Sequence, residues 1–115
     1  MKIYIAGPIT INKDNYKEPF LEAEKYLREL GWEVFNPASD EYDEPVPGMD
    51  KWDKKAWLYY MHRDIELVSM CDAVYFLKGW EESPGANIEH IVATKFNLAR
   101  YYQGGDSIIP AKEKE

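Results

Sequence analysis

The sequence predicts an α/β fold: an open parallel sheet of four or five strands with helices on both faces. Three observations lead there. Within residues 2–6, Ile3, Tyr4 and Ile5 run without alternation, as in strands covered on both sides, and 72–77 reads as a further strand through Ala73, Val74, Tyr75 and Phe76. Amphipathic helical stretches separate the strand-like segments. The resulting order, β-α-β-loop-α-β-α, is that of crossover units feeding a parallel sheet. In such sheets a ligand sits beyond the carboxyl ends of the strands, where the strand order reverses. With the first strand central, that crevice lies between the loop after Gly7 and the loop after Leu77.

The elements follow in order. Ile3, Tyr4 and Ile5 form the first strand, and Gly7-Pro8 punctuates its end. Residues 14–30 make a helix whose Phe20, Ala23, Leu27 and Leu30 share one stripe, with Gly31 as its stop. Residues 32–35 form a short strand closed by Asn36-Pro37. An acidic loop bearing Pro and Gly covers 38–53, and a loop of that length in a small domain is expected to be a lid or binding loop, or disordered. A second helix covers 54–70 and a third strand 72–77. Ser83 and Pro84 open a third helix, Ser as the N-cap and Pro in the first turn, which is expected to reach Arg100. Tyr101-Tyr102 or residues 107–109 supply a further strand, and 111–115 read as a solvated tail.

The chain has 115 residues, enough for one domain with a core and too few for two. Its net charge is −7 without a basic stripe, which argues against a nucleic-acid polymer as partner. A small phosphate remains compatible, because helix N-termini and backbone amides bind anions without a positive surface. The single cysteine, Cys71, excludes an internal disulfide, and His62 and His90 offer no metal-site spacing. The chain opens directly into a strand-like run and has no stretch apolar enough to span a bilayer, so a cytoplasmic protein without membrane contact is expected. Nine tyrosines and four tryptophans serve either packing or stacking against a flat ligand. They also favour an exposed apolar patch and hence a homo-oligomer, a dimer or larger.

Two carboxylates fall where a helix should turn inward. The neighbours of Asp64 at helical spacing are Trp57, Tyr60, Met61, Leu67, Val68 and Cys71, all apolar or aromatic. Those of Glu89 are Glu82, Gly85, Ala86, Val92, Ala93 and Phe96, small or apolar apart from Glu82, which precedes the helix. An unpaired buried carboxylate costs several kcal/mol, on the order of magnitude of a whole domain's stability, so such acids are paired or do chemistry. Two of them on helices flanking the third strand can share one cleft, with environments that push their pKa values apart. Glu89 also lies near its helix start, where the dipole favours the ionised form. Gly85 and Ala86 leave the approach open. Ser83 can cap the helix or offer its hydroxyl to a phosphate. Tyr4 reads as core, and its hydroxyl then needs a partner, which a carboxylate in the cleft would supply. Gly7, Pro8, Ile9 and Thr10 follow the first strand but form neither a dinucleotide fingerprint nor a P-loop.

The segments 1–10 (MKIYIAGPIT), 63–74 (RDIELVSMCDAV) and 83–89 (SPGANIE) together resemble the nucleoside 2-deoxyribosyltransferase-like superfamily, over residues 1–100. More narrowly, the chain resembles small phage and bacterial members without assigned function. The resemblance implies a flavodoxin-like (Rossmann-like) sheet and a glutamate that attacks the anomeric carbon. Gly85-Ala-Asn-Ile-Glu89 matches the pattern of Gly, three residues, Glu, which makes Glu89 the implied nucleophile. Asp64 is the implied proton donor and orienting partner, and Tyr4 matches the first-strand tyrosine.

The chain departs from the transferases at Ser83-Pro84, where they carry an acidic pair. A serine at that place resembles the 5′-monophosphate N-hydrolases of the superfamily, which use it to hold the phosphate. Their phosphate loop is richer in Ser, Arg and Gly than Pro8-Ile9-Thr10. The resemblance therefore implies a hydrolase or glycosidase of nucleotide metabolism that opens the N-glycosidic bond of a (deoxy)nucleoside 5′-monophosphate. Glu89, Asp64 and Tyr4 would be catalytic, and Gly7, Pro8, Ile9, Thr10, Ser83, Gly85 and Asn87 would bind substrate, with no metal or organic cofactor. The alternatives are a deoxyribosyl transferase, a module that sequesters a nucleotide without turnover, and a structural subunit.

Overall fold

The computed structural model describes residues 1–42, 44 and 46–105. Four strands, β1 (Lys2–Ala6), β2 (Glu33–Phe35), β3 (Ala73–Phe76) and β4 (Ala99–Tyr102), form one sheet in the order β2-β1-β3-β4. Every pairing is parallel, with Tyr4 opposite Phe35 on one side and Val74 on the other. The helices are α1 (Lys17–Glu29), α2 (Lys54–Ser69) and α3 (Pro84–Lys95). This is the α/β architecture the alternation predicts, compatible with a flavodoxin-like sheet, and β1 lies inside it. The Tyr101-Tyr102 pair does extend the sheet, as part of β4. The alternative strand at 107–109 and the tail at 111–115 lie outside the described residues.

Alternation along the strands divides the core in two. Ile3, Ile5, Ala73 and Tyr75 face α1 and pack with Phe20, Ala23 and Leu27. Tyr4, Ala6, Val74 and Phe76 face α2 and α3 and pack with Val68, Ala86 and Ala93. Tyr4 is therefore an inward residue on the face that carries both acidic helices.

The chain reverses direction across the sheet between β1 and β3, and the two strand ends come unusually close. A Cβ built on Gly7 would stand 2.8 Å from Leu77 Cδ1 and 2.9 Å from Leu77 Cβ. Only the absent side chain permits that approach. Leu77 N–H donates to the Ala6 carbonyl at 2.8 Å and seals the junction.

One boundary differs clearly from the sequence expectation. The third helix stops at Lys95 rather than near Arg100. Asn97 takes a left-handed conformation (φ 56°). Leu98 N–H donates to Ala93 O (2.9 Å) and Asn97 N–H to Thr94 O (3.1 Å), the paired bonds of a Schellman end. Gly31 (φ 94°) closes α1 in the same way. The early stop of α3 frees residues 99–102 for β4. It also corrects the placing of Phe96 in the inward arc of Glu89, for that ring is 59% exposed. At its other end, α1 starts at Lys17 rather than Asp14, behind a turn that buries Tyr16.

Candidate active site

An open cleft lies beyond the carboxyl ends of β1 and β3. Its lining includes Tyr4, Asp64 and Glu89, the three residues the sequence assigns to chemistry. Gly7, Ile9, Thr10, Ser83 and Gly85 line it too. Pro8 and Asn87 do not. Pro8 leans toward Gly79, and the Asn87 amide donates to the carbonyls of Glu81 (2.9 Å) and Ser83 (2.8 Å). Asn87 thus ties the 3-10 turn at Trp80–Glu82 to the start of α3, a local backbone role in place of the expected ligand contact.

Glu89 sits in the second turn of α3 and is 4% exposed. Small residues bring its carboxylate under the sheet end: Ala86 and Ala93 are buried beside it, and a Cβ on Gly85 would meet Met61 Sδ of α2 at 3.0 Å. The Tyr4 hydroxyl, itself fully buried, donates to Glu89 Oε2 over 2.5 Å. Burial pushes the Glu89 carboxyl well above the ordinary carboxylate range, and the nearby charge of Asp64 adds to this. The Tyr4 hydrogen bond and the Arg63 guanidinium pull the other way. Burial, then the Asp64 and Glu89 charges, hold the Tyr4 phenol well above its usual value, so Tyr4 stays a neutral donor.

Asp64 lies on the inward face of α2 and is 6% exposed. Arg63 donates to Asp64 Oδ1 from Nη2 (2.7 Å) and Nε (3.1 Å). Helical spacing does not reveal this pair, since consecutive residues point about 100° apart. The long arginine folds back along the helix to make it.

Ser83 caps α3 by accepting from Ala86 N–H at 3.2 Å. That bond uses an oxygen lone pair and leaves the hydroxyl proton for a cleft ligand. The capping and phosphate readings are therefore compatible.

The remaining walls come from residues the sequence argument did not assign to the site. Trp57 and Tyr60 of α2 line the cleft, as do Lys51 and Trp52 from the loop before α2. A signal for the first two existed: both share the inward arc of Asp64, and an arc that buries an acid beside large rings is a cleft wall as readily as a core. Trp52 packs edge-on against Tyr16 at 5.9 Å, and the Lys51 ammonium lies 4.9 Å from the Tyr60 ring. Asp53 ends the loop as N-cap of α2, accepting from Lys55 N–H.

Among the described residues, no group of three or more His, Cys, Asp or Glu is arranged to hold a metal ion. No described helix is long and apolar enough to cross a membrane. Among curated proteins, none matches this chain. A family model described as Domain of unknown function (DUF4406) matches residues 1–102, a span holding all four strands and the whole cleft, and the chain belongs to that family.

Proposed function

We propose that this protein opens the N-glycosidic bond of a nucleoside 5′-monophosphate through a glycosyl ester on Glu89. One observation carries the reading. A carboxylate buried in the floor of a cleft is held by a tyrosine hydroxyl on one oxygen, beside a second acid on a different helix. The cost of that burial needs a return, and retaining glycoside chemistry uses such a pair.

Glu89 Oε1, the oxygen not gripped by Tyr4, attacks C1′ of the sugar. The C1′–N bond breaks and its electron pair leaves with the base, whose protonation Asp64 assists. Water then attacks C1′ of the ester, freeing Glu89 and the sugar 5′-phosphate, and the proton it gives up goes to Asp64, replacing the one passed to the base. The aromatic side chains that line the cleft, Trp57 among them, would give a flat base apolar surface to pack on. Ser83 and the backbone after Gly7 provide donors for the 5′ phosphate.

The test is chromatographic detection of free base after incubation with ribo- and deoxynucleoside 5′-monophosphates. At least one should yield base and sugar phosphate. Ser83→Ala should raise KM for the monophosphate and spare the bare nucleoside, while lowering stability by about 1 kcal/mol through the lost cap. Equal effects on both substrates would reduce Ser83 to a cap. Tight binding without release would make the cleft a sequestering site instead of a catalytic one.

A further inference from the structure

Arg63 enters the cleft beside Asp64 and lies near two aromatic rings. Its guanidinium lies 5.2 Å from the Tyr60 ring and 5.7 Å from the Tyr42 ring. Neither ring is loose. Tyr60 donates its hydroxyl to the Glu44 carbonyl over 2.5 Å, and Tyr42 packs against Phe35 at the end of β2 at 6.2 Å. Both Arg63 bonds go to one oxygen of Asp64, Oδ1, rather than being spread over the two oxygens of a fork. This grip anchors Oδ1 of the carboxylate. The side chains are 24% and 9% exposed, so the pair is largely out of water and not a screened surface contact.

We propose that Arg63 is the positioning residue for Asp64, clamped between Tyr42 and Tyr60 so that the loop before α2 sets the geometry of the acid pair. This rests on the reading of the cleft as a glycosidic site. It gives the loop a function: Tyr42 is not among the residues lining the cleft, yet it orients the guanidinium that orients the acid. The charged and titratable groups facing Glu89 are Tyr4 from β1 and Asp64 and Arg63 from α2. Arg63 is the cation among them, and its charge favours the ionised nucleophile.

Three variants test the clamp: Arg63→Met, Arg63→Lys and Tyr42→Leu, each first shown to melt cooperatively. Arg63→Met should lower kcat by roughly 10- to 100-fold, the scale of a misplaced catalytic group, with KM changed less. Its acid limb in the pH profile should move to higher pH. Arg63→Lys keeps the charge and loses the two-donor grip, so the limb should return while kcat recovers only in part. Tyr42→Leu should lower kcat with the limb in place. A lower melting temperature with unchanged kcat and limb would overturn the proposal.

A readout without turnover separates this proposal from the glycosidase reading. Carbon-13 NMR of labelled glutamate carboxyls follows Glu89 in the ligand-free protein, with Glu89→Gln identifying its resonance. In Arg63→Met the Glu89 midpoint should rise, even if no nucleotide is ever cleaved. A midpoint that does not move would overturn the proposal, whatever the activity.

Discussion

Glu89→Gln is expected to leave the protein folded, to raise its stability at neutral pH, and to abolish release of free base. Glutamine keeps the shape and still accepts the Tyr4 hydroxyl, but it cannot form the glycosyl ester. The rate should fall by roughly three orders of magnitude or more, the scale seen when a nucleophile is removed. Stability moves the other way because of linkage. Burial raises the folded-state pKa of Glu89 above its ordinary value of 4.5. Below that value the carboxyl is protonated in both folded and unfolded chains and imposes no penalty. As pH climbs from there through the raised folded value, ionisation increasingly favours the unfolded chain. The stabilisation by Glu89→Gln should therefore be absent in acid and grow with rising pH. Melting temperatures across the pH range, beside single-pH base release, measure both effects. A variant that loses stability and keeps activity would mark Glu89 as a structural acid.

Tyr4→Phe should produce the next largest change. It removes the donor that holds Glu89 Oε2 and leaves the ring packed in the core. A hydrogen bond to a charged group is worth about 1.5–3 kcal/mol, so losing it should raise the Glu89 midpoint by about one to two pH units. The nucleophile acts as a carboxylate, so base release in the wild type should climb along an acid limb above the ordinary glutamate range. In Tyr4→Phe that limb should lie higher still. At neutral pH activity should drop, and at alkaline pH much of it should return. A uniform loss at every pH would instead assign Tyr4 to substrate geometry.

The sheet and the acid pair were legible in the sequence for physical reasons. Ile3 to Ala6 of β1 and Ala73 to Phe76 of β3 are buried on both faces, so they read as unbroken apolar runs. Gly31 announces the end of α1 because glycine takes the left-handed position without strain. Asn97 does the same work at the end of α3 with a side chain that also suits other positions, so that stop was hidden, and with it the start of β4. Asp64 and Glu89 stood out because a carboxylate in an apolar arc is expensive.

Arg63 was not legible as their partner. Adjacent helix residues diverge, and only the length of the arginine and the two rings around it bring it back. The loop after Pro37 was recognisable by its length, but Tyr42 and Trp52 have no periodicity to say which rings they meet. Asn87 sat in the right segment for a ligand contact, and its amide turned to nearby carbonyls because those at Trp80–Ser83 stand within reach.

The most direct test of the covalent mechanism is to trap the ester itself. A deoxynucleoside 5′-monophosphate bearing fluorine at C2′ destabilises the cationic transition states on both sides of the intermediate. With a base that leaves readily, the second step becomes the slower one. Intact-mass spectrometry of the protein after incubation should show one added fluorodeoxyribose 5′-phosphate, and peptide mapping should place it on Glu89. Glu89→Gln should remain unmodified under the same conditions. Base release without any adduct on Glu89, or an adduct on another residue, would contradict the mechanism.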